Sequence, residues 1–145
     1  MSEGRRTLDE LLAEARARID RLTPAETLAA VDGGSLIIDI RSADVRERDG
    51  IVPGSIHVPR TVLEWRFEPN GAWRNPHVGG ADRRLVVLCD HGYSSSFAAA
   101  ILVELGYARA ADVVGGFEAW VAAGLPVAPA PTRHEAELPG MDSPD

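Results

Sequence analysis

Residues Leu85–Leu105 read LVVLCDHGYSSSFAAAILVEL and constrain the possible folds more than any other stretch of the chain. Four apolar residues, Leu85 to Leu88, run without a polar interruption into Cys89, the only cysteine of the sequence. Small or polar residues follow from Asp90 to Ser94, and Ser95-Ser96 then lead into an Ala-rich apolar run that stops at Gly106. A short unbroken apolar run predicts a buried strand, and serines ahead of an Ala-rich run predict a helix N-terminus. The thiol is then the first residue of the tight loop between them. Backbone N–H groups of such a loop and of the first helical turn converge as an anion-binding nest. A thiol placed there is expected to be acidified, because the partial positive charge of a helix start favours thiolate.

A chain of 145 residues is expected to form one domain and can bury a working core around that strand. The 45% hydrophobic and 26% charged content is that of an ordinary globular protein. The start MSEGRR is charged and leads into no apolar signal-like region, and no apolar run approaches the ~20 residues of a membrane helix. One cysteine excludes an internal disulfide framework and a cysteine-based zinc site, so the reducing cytoplasm is the expected compartment. A net charge of −7 argues against nucleic-acid binding through general phosphate attraction. All 15 basic residues are Arg, which reads as a compositional bias and removes every lysine-based mechanism.

Thr7-Leu8-Asp9-Glu10 has the form of a capping box, and apolar residues at helical spacing predict a helix from there to about Leu22. Thr23-Pro24-Ala25-Glu26 opens a second, shorter helix ending near Asp32-Gly33-Gly34. Ser35–Ile40 predicts a buried strand. Residues 42–55 read as charged and turn-rich, with Val52–Ser55 a type II turn, and Ile56–Val58 as a short strand stopped by Pro59. One or two helical turns are expected at Val62–Trp65, followed by loop from Glu68 to Gly80. Beyond the central stretch, Asp112–Val114 predicts a strand and Phe117–Ala123 a helix. Strands alternating with helices predict an α/β fold with a mainly parallel central sheet. The expected organisation is an N-terminal helical extension over 1–23, a domain over 24–128, and a disordered Pro-rich acidic tail over 129–145.

Three chemistries are open to Cys89. A structural cysteine at a strand end is the commonplace one, but packing gives no reason for a Gly-containing loop and a serine-led helix after it. A cysteine phosphatase or arsenate reductase needs a cation in the loop to grip a tetrahedral oxyanion. Position 95, where a Cys-x5-Arg loop would carry it, is Ser95, and no residue from Cys89 to Ser96 is Arg or Lys. Sulfur transfer needs a low-pKa thiolate and N–H donors around an anionic persulfide, and no general base. The loop supplies both.

The chain resembles the single-domain rhodaneses, the thiosulfate sulfurtransferase family. The matching pieces stand in order: Ile38-Asp39-Ile40-Arg41, Gly50–Ser55, Cys89–Ser95, then Gly115-Gly116-Phe117-Glu118-Ala119-Trp120 with Gly124–Val127. The resemblance covers roughly residues 24–128. It implies a central five-stranded, mainly parallel sheet between helices, here with the extra N-terminal helix, and Cys89 as the persulfide-forming nucleophile. It further implies a loop one residue shorter than that of the related phosphatases. Two departures bear on substrate. Many family members carry basic residues in the loop where this chain has Asp90, and often His where it has Ile51. Both weaken the case for thiosulfate in particular, so the expectation is persulfide chemistry on Cys89 with thiosulfate or a persulfide as donor.

Asp90, His91, Gly92, Tyr93, Ser94 and Ser95 are the expected substrate-binding loop, with Ser94–Ser96 also candidates for the helix N-cap. His91 either donates to the persulfide or faces solvent. Asp39 and Arg41 are expected to support the loop from below, Asp39 by accepting loop N–H groups or by pairing with Arg41. Trp65 and Arg66, with Arg74, are candidates for the pocket, against a reading of them as core edge and solvated surface. His57 and His77 have no metal-ligand spacing, so neither metal nor other cofactor is assigned. The expected partners are a small-molecule or protein sulfur donor and a thiol acceptor, with neither nucleic acid nor membrane. With a single cysteine, the sulfur has to leave to an outside acceptor such as glutathione, a dithiol protein or cyanide. Two rivals stand beside the enzyme: a non-catalytic module whose loop binds an anion or a partner, and a redox-sensing thiol.

Overall fold

The computed structural model describes residues 4–131. Residues 132–145, most of the predicted tail, lie outside the described residues. Strands β1 (Asp20–Leu22), β2 (Leu36–Asp39), β3 (Ile56–His57), β4 (Leu85–Leu88) and β5 (Ala111–Val113) form one sheet in the order β1-β5-β4-β2-β3. Every pairing between them is parallel, so the expected mainly parallel five-stranded sheet is the observed one. Helices α1 (Leu8–Ala17), α2 (Pro24–Asp32), α3 (Ala43–Asp49), α4 (Leu63–Phe67), α5 (Ser94–Glu104) and α6 (Gly116–Ala122) complete the described elements, with a 3₁₀ turn at Arg60–Val62.

Strand residues alternate between two apolar layers, as a period of two requires. Leu36, Ile38, Leu85 and Val87 point to one face, with Ala98 and Leu102 of α5 and Leu63 and Phe67 of α4. Ile37, Val86, Leu88, Ala111 and Val113 point to the other, with Phe117 and Trp120 of α6. Continuing the alternation puts Cys89 on the α5 side, beneath the start of that helix. It puts Asp39 on the α6 side, and Asp112, between Ala111 and Val113, on the α5 side.

Both Thr-led capping boxes are formed, at α1 and α2. The first helix is shorter than its periodicity suggested, ending at Ala17 rather than near Leu22. Asp20–Leu22 instead pairs with β5, Arg21 lying opposite Asp112. The physical reason is visible in the packing: Ile19 lies against the α5-side layer and Leu22 against the α6-side layer, a split that no single helical face could make. The open edge of β5 also takes up backbone groups that a frayed helix end would leave to water. The charged segment after β2 contains α3, capped by Ser42 and hidden from pattern reading because ADVRERD has no apolar stripe. The predicted turn is present, Ser55 N–H donating to the Val52 carbonyl at 3.1 Å with Gly54 at φ +82°.

Leu102 is fully buried between α5 and the sheet. Leu102→Ala is expected to cost roughly 2–5 kcal/mol. Urea denaturation followed by circular dichroism measures it.

Candidate active site

The Cys89 thiol is 5% exposed at the end of β4 and accepts the Gly92 N–H at 3.1 Å. Burial is the largest single influence on this thiol and pushes its pKa up. Hydrogen bonds from Ser95 and Ser94 and the N–H groups of Ser95 and Gly92 together outweigh it, so the thiol lies below its ordinary value. The Ser95 hydroxyl has one hydrogen, and it goes to Asp112 Oδ2 at 2.8 Å. Ser95 therefore supports a thiolate through its amide, and hydroxyl donation falls to Ser94.

The loop is fixed by close approach to the start of α6. Phe117 N–H donates to the Cys89 carbonyl at 2.8 Å and Glu118 N–H to the Asp90 carbonyl at 3.1 Å. A Cβ on Gly116 would stand 2.5 Å from the Cys89 carbonyl oxygen, and one on Gly92 would stand 2.7 Å from Gly115 N. Both glycines also have positive φ, +64° and +85°. Shape and backbone conformation thus demand glycine at both contact points.

Two buried carboxylates flank the loop end, one on each face of the sheet. Asp39, fully buried, binds the Arg41 guanidinium at 3.0 and 2.8 Å and Arg46 Nε at 3.1 Å. It accepts the Arg41 N–H as well, so the expected pairing with Arg41 is present. Arg41 lies 3.9 Å from the Phe117 ring centroid and donates to the Gly50 carbonyl at 2.9 Å. On the other face, Asp112 accepts from the Ser95 and Ser96 hydroxyls at 2.8 Å each and from Arg21 Nε at 2.9 Å. Arg21 and Arg16 each donate through Nη2 to the Gly92 carbonyl at 2.9 Å. Arg16 Nε reaches the Ser96 hydroxyl at 3.1 Å, and its guanidinium lies 5.5 Å from the Tyr93 ring centroid. Ser95 and Ser96 are therefore not N-caps. Helix α5 begins at Ser94 after Tyr93 with no side-chain cap, because Asp112 claims the two buried hydroxyls.

A cavity of about 350 Å³ opens over the sulfur, lined by Ile40, Arg41, Arg60, Cys89, Asp90, His91, Tyr93 and Ser94. The structure thus brings together Cys89, Arg41 and four of the loop residues expected at the site. His91 lines the cavity and lies against Glu118 at 3.1 Å, and both side chains are largely exposed. Trp65 and Arg66 do not line the cavity, which corrects the expectation for the pair. The turn of α4 that buries Leu63 and Phe67 carries Arg66 inward, where it is 6% exposed, and leaves Trp65 56% exposed. Arg74 donates to the Gly79 carbonyl. The cation missed from sequence is Arg60, one residue past Pro59 on the 3₁₀ turn and paired with Glu64 at 2.9 Å. Its only sequence signal is that it follows a strand end on the catalytic side of a parallel sheet.

A family model for the rhodanese-like domain matches residues 23–123. Thiosulfate sulfurtransferase GlpE of Pseudomonas syringae pv. syringae is 33% identical over 101 residues, spanning 69% of this chain and 85% of that protein. GlpE of Haemophilus influenzae is 29% identical over 106 residues, 73% of this chain and 91% of that protein. Among solved structures, a Rhodopseudomonas palustris protein described as of unknown function and a "possible tyrosine phosphatase" superposes with a TM-score of 0.78. It is 33% identical, with 88% of this chain and 99% of that chain covered.

The half-buried His57 imidazole, Nε2 2.7 Å from the Arg41 carbonyl, is held below its ordinary pKa by burial and then by the Arg46 charge. The unfolded chain therefore takes up the proton first. This contribution to stability is whole above the ordinary histidine value of about 6.5 and is lost as pH falls beneath it. Urea midpoints compared at neutral and mildly acidic pH are expected to fall on acidification, and to fall less in His57→Gln.

Proposed function

The chain belongs to the rhodanese-like domain family, and from that premise we propose that it is a sulfurtransferase working through a persulfide on Cys89. The observation that carries the reading is the Cys89 sulfur, 3.1 Å from the Gly92 N–H, in a loop of amides and hydroxyls that contains no Arg or Lys. The thiolate attacks the sulfane sulfur of thiosulfate or of a persulfide donor. The donor's S–S bond breaks, and its electron pair leaves with sulfite or with the donor thiolate. The product is Cys89–S–S⁻, whose terminal charge the loop donors support. An acceptor thiolate then attacks the outer sulfur, takes it as its own persulfide and regenerates the Cys89 thiolate; cyanide does the same and leaves as thiocyanate. No proton has to be removed in either step, so the chemistry asks for no general base.

Arg60 lines the same cavity as Asp90, whereas the Arg41 side chain is fully buried against Asp39 and Phe117. Arg60, although paired with Glu64, sets a cation opposite the acidic loop residue that argued against thiosulfate, so an anionic donor stays within the proposal. Phosphoryl transfer is less well served. Ser95 occupies the position of the oxyanion-gripping arginine, and its hydroxyl is committed to Asp112.

Intact mass after incubation with thiosulfate, and separately with an alkyl persulfide, is expected to show one added sulfur atom. Cyanide should remove it as thiocyanate, Cys89→Ala should gain nothing, and an aryl phosphate should release no phosphate. No addition from either donor would overturn the enzyme in favour of a binding module.

A further inference from the structure

We propose that Arg16 of α1 and Arg21 of β1 are positioning residues for the Cys89 thiolate, acting through the Gly92 carbonyl and the Asp112 carboxylate. The proposal rests on the reading of Cys89 as a working thiolate. Both arginines precede residue 23, where the match to the family model begins, so the match itself assigns them nothing.

The Gly92 carbonyl takes two guanidinium hydrogen bonds, each 2.9 Å long. In a trans peptide the C=O and the next N–H point in opposite directions. A grip on the Gly92 oxygen therefore fixes the plane of the Gly92–Tyr93 peptide, next to the Gly92 N–H that meets the sulfur. The other side of Gly92 is closed by Gly115, so the residue whose N–H meets the sulfur is held from both sides. The second route runs through β5. Arg21 Nε holds Asp112 Oδ1 at 2.9 Å, and Asp112 Oδ2 draws off the Ser95 and Ser96 hydroxyl hydrogens. That arrangement fixes the first turn of α5, whose Ser95 amide serves the sulfur. Arg16 joins the two routes, with Nη2 on Gly92 and Nε on Ser96.

Other charged groups also face the sulfur's surroundings. Asp90 and His91 stand on the loop itself, the latter beside Glu118 of α6. Arg60, paired with Glu64, stands across the cavity, and the Arg41 guanidinium is buried against Asp39. These partners are untouched by substitution of Arg16 or Arg21, which isolates the effect of the two arginines.

The test is the rate of Cys89 alkylation by iodoacetamide as a function of pH, in the full chain and in Arg16→Gln, Arg21→Gln and the double variant. Each single substitution is expected to raise the midpoint by roughly half a pH unit, and the double by more. Circular dichroism checks that each variant is folded. Should Arg21→Gln fail to fold, Arg16→Gln decides alone, since Arg21 still holds Asp112 there. Folded variants with the parent's midpoint would overturn the proposal and leave the arginines as braces of the fold. An ordinary thiol midpoint in the parent is a separate result, overturning the thiolate reading on which this one depends.

Discussion

A carboxylate with no exposed surface, Asp112, governs how the loop end of the sheet is put together. A buried charge is tolerated only when it is paired and hydrogen-bonded, and removing one partner from such a pair typically costs about 3–5 kcal/mol. Asp112 meets that demand with Arg21 from the neighbouring strand and with two hydroxyls from the helix above. Satisfying one side chain thus fixes β1 against β5 and both against the start of α5. Asp39 makes the equivalent demand on the opposite face, where Arg41 and Arg46 answer it and Phe117 covers the Arg41 guanidinium. The loop from Cys89 to Tyr93 hangs between these two anchored corners. Its backbone amides are held in place before any ligand arrives, and preorganised dipoles of this kind are what stabilise a developing anion most effectively.

The division of labour around the sulfur follows from that frame. The groups nearest the Cys89 thiol are local N–H groups and serine side chains, while Arg16 and Arg21 stand behind the loop on the Gly92 carbonyl and Arg60 lines the cavity. A cation in direct contact with the sulfur would grip a tetrahedral oxyanion well. A ring of neutral donors suits the anionic persulfide of the proposed reaction.

Much of this was legible in the sequence. The unbroken LVVL before Cys89, the small residues after it and the Gly115-Gly116 pair placed the strand, the loop and the helix, because burial and steric fit leave those residues few alternatives. Asp39 with Arg41 was legible because a carboxylate ending an apolar strand needs a partner nearby. What escaped depends on distance along the chain. Nothing in DRL at 20–22 announces a strand; β5 confers it by offering an open edge. Arg16 and Arg21 look like solvated helix residues until Gly92, more than seventy positions away, comes into reach. Trp65 and Arg66 misled for the opposite reason. Neither the pocket nor the reading of core-edge Trp and solvated Arg describes them, because a short helix must bury whichever side its apolar neighbours share, and Leu63 and Phe67 carried Arg66 inward with them.

The strand lengths bear on how this molecule behaves among copies of itself. Its sheet is bounded by β1, three residues long, and β3, only two, whereas the inner β2 and β4 have four each. An outer strand of two or three residues gives another chain little backbone to pair with, and Arg21, tied to the carboxylate of the next strand, keeps one rim charged as well as short. The same residues that frame the loop therefore also blunt the borders where unwanted sheet extension would begin.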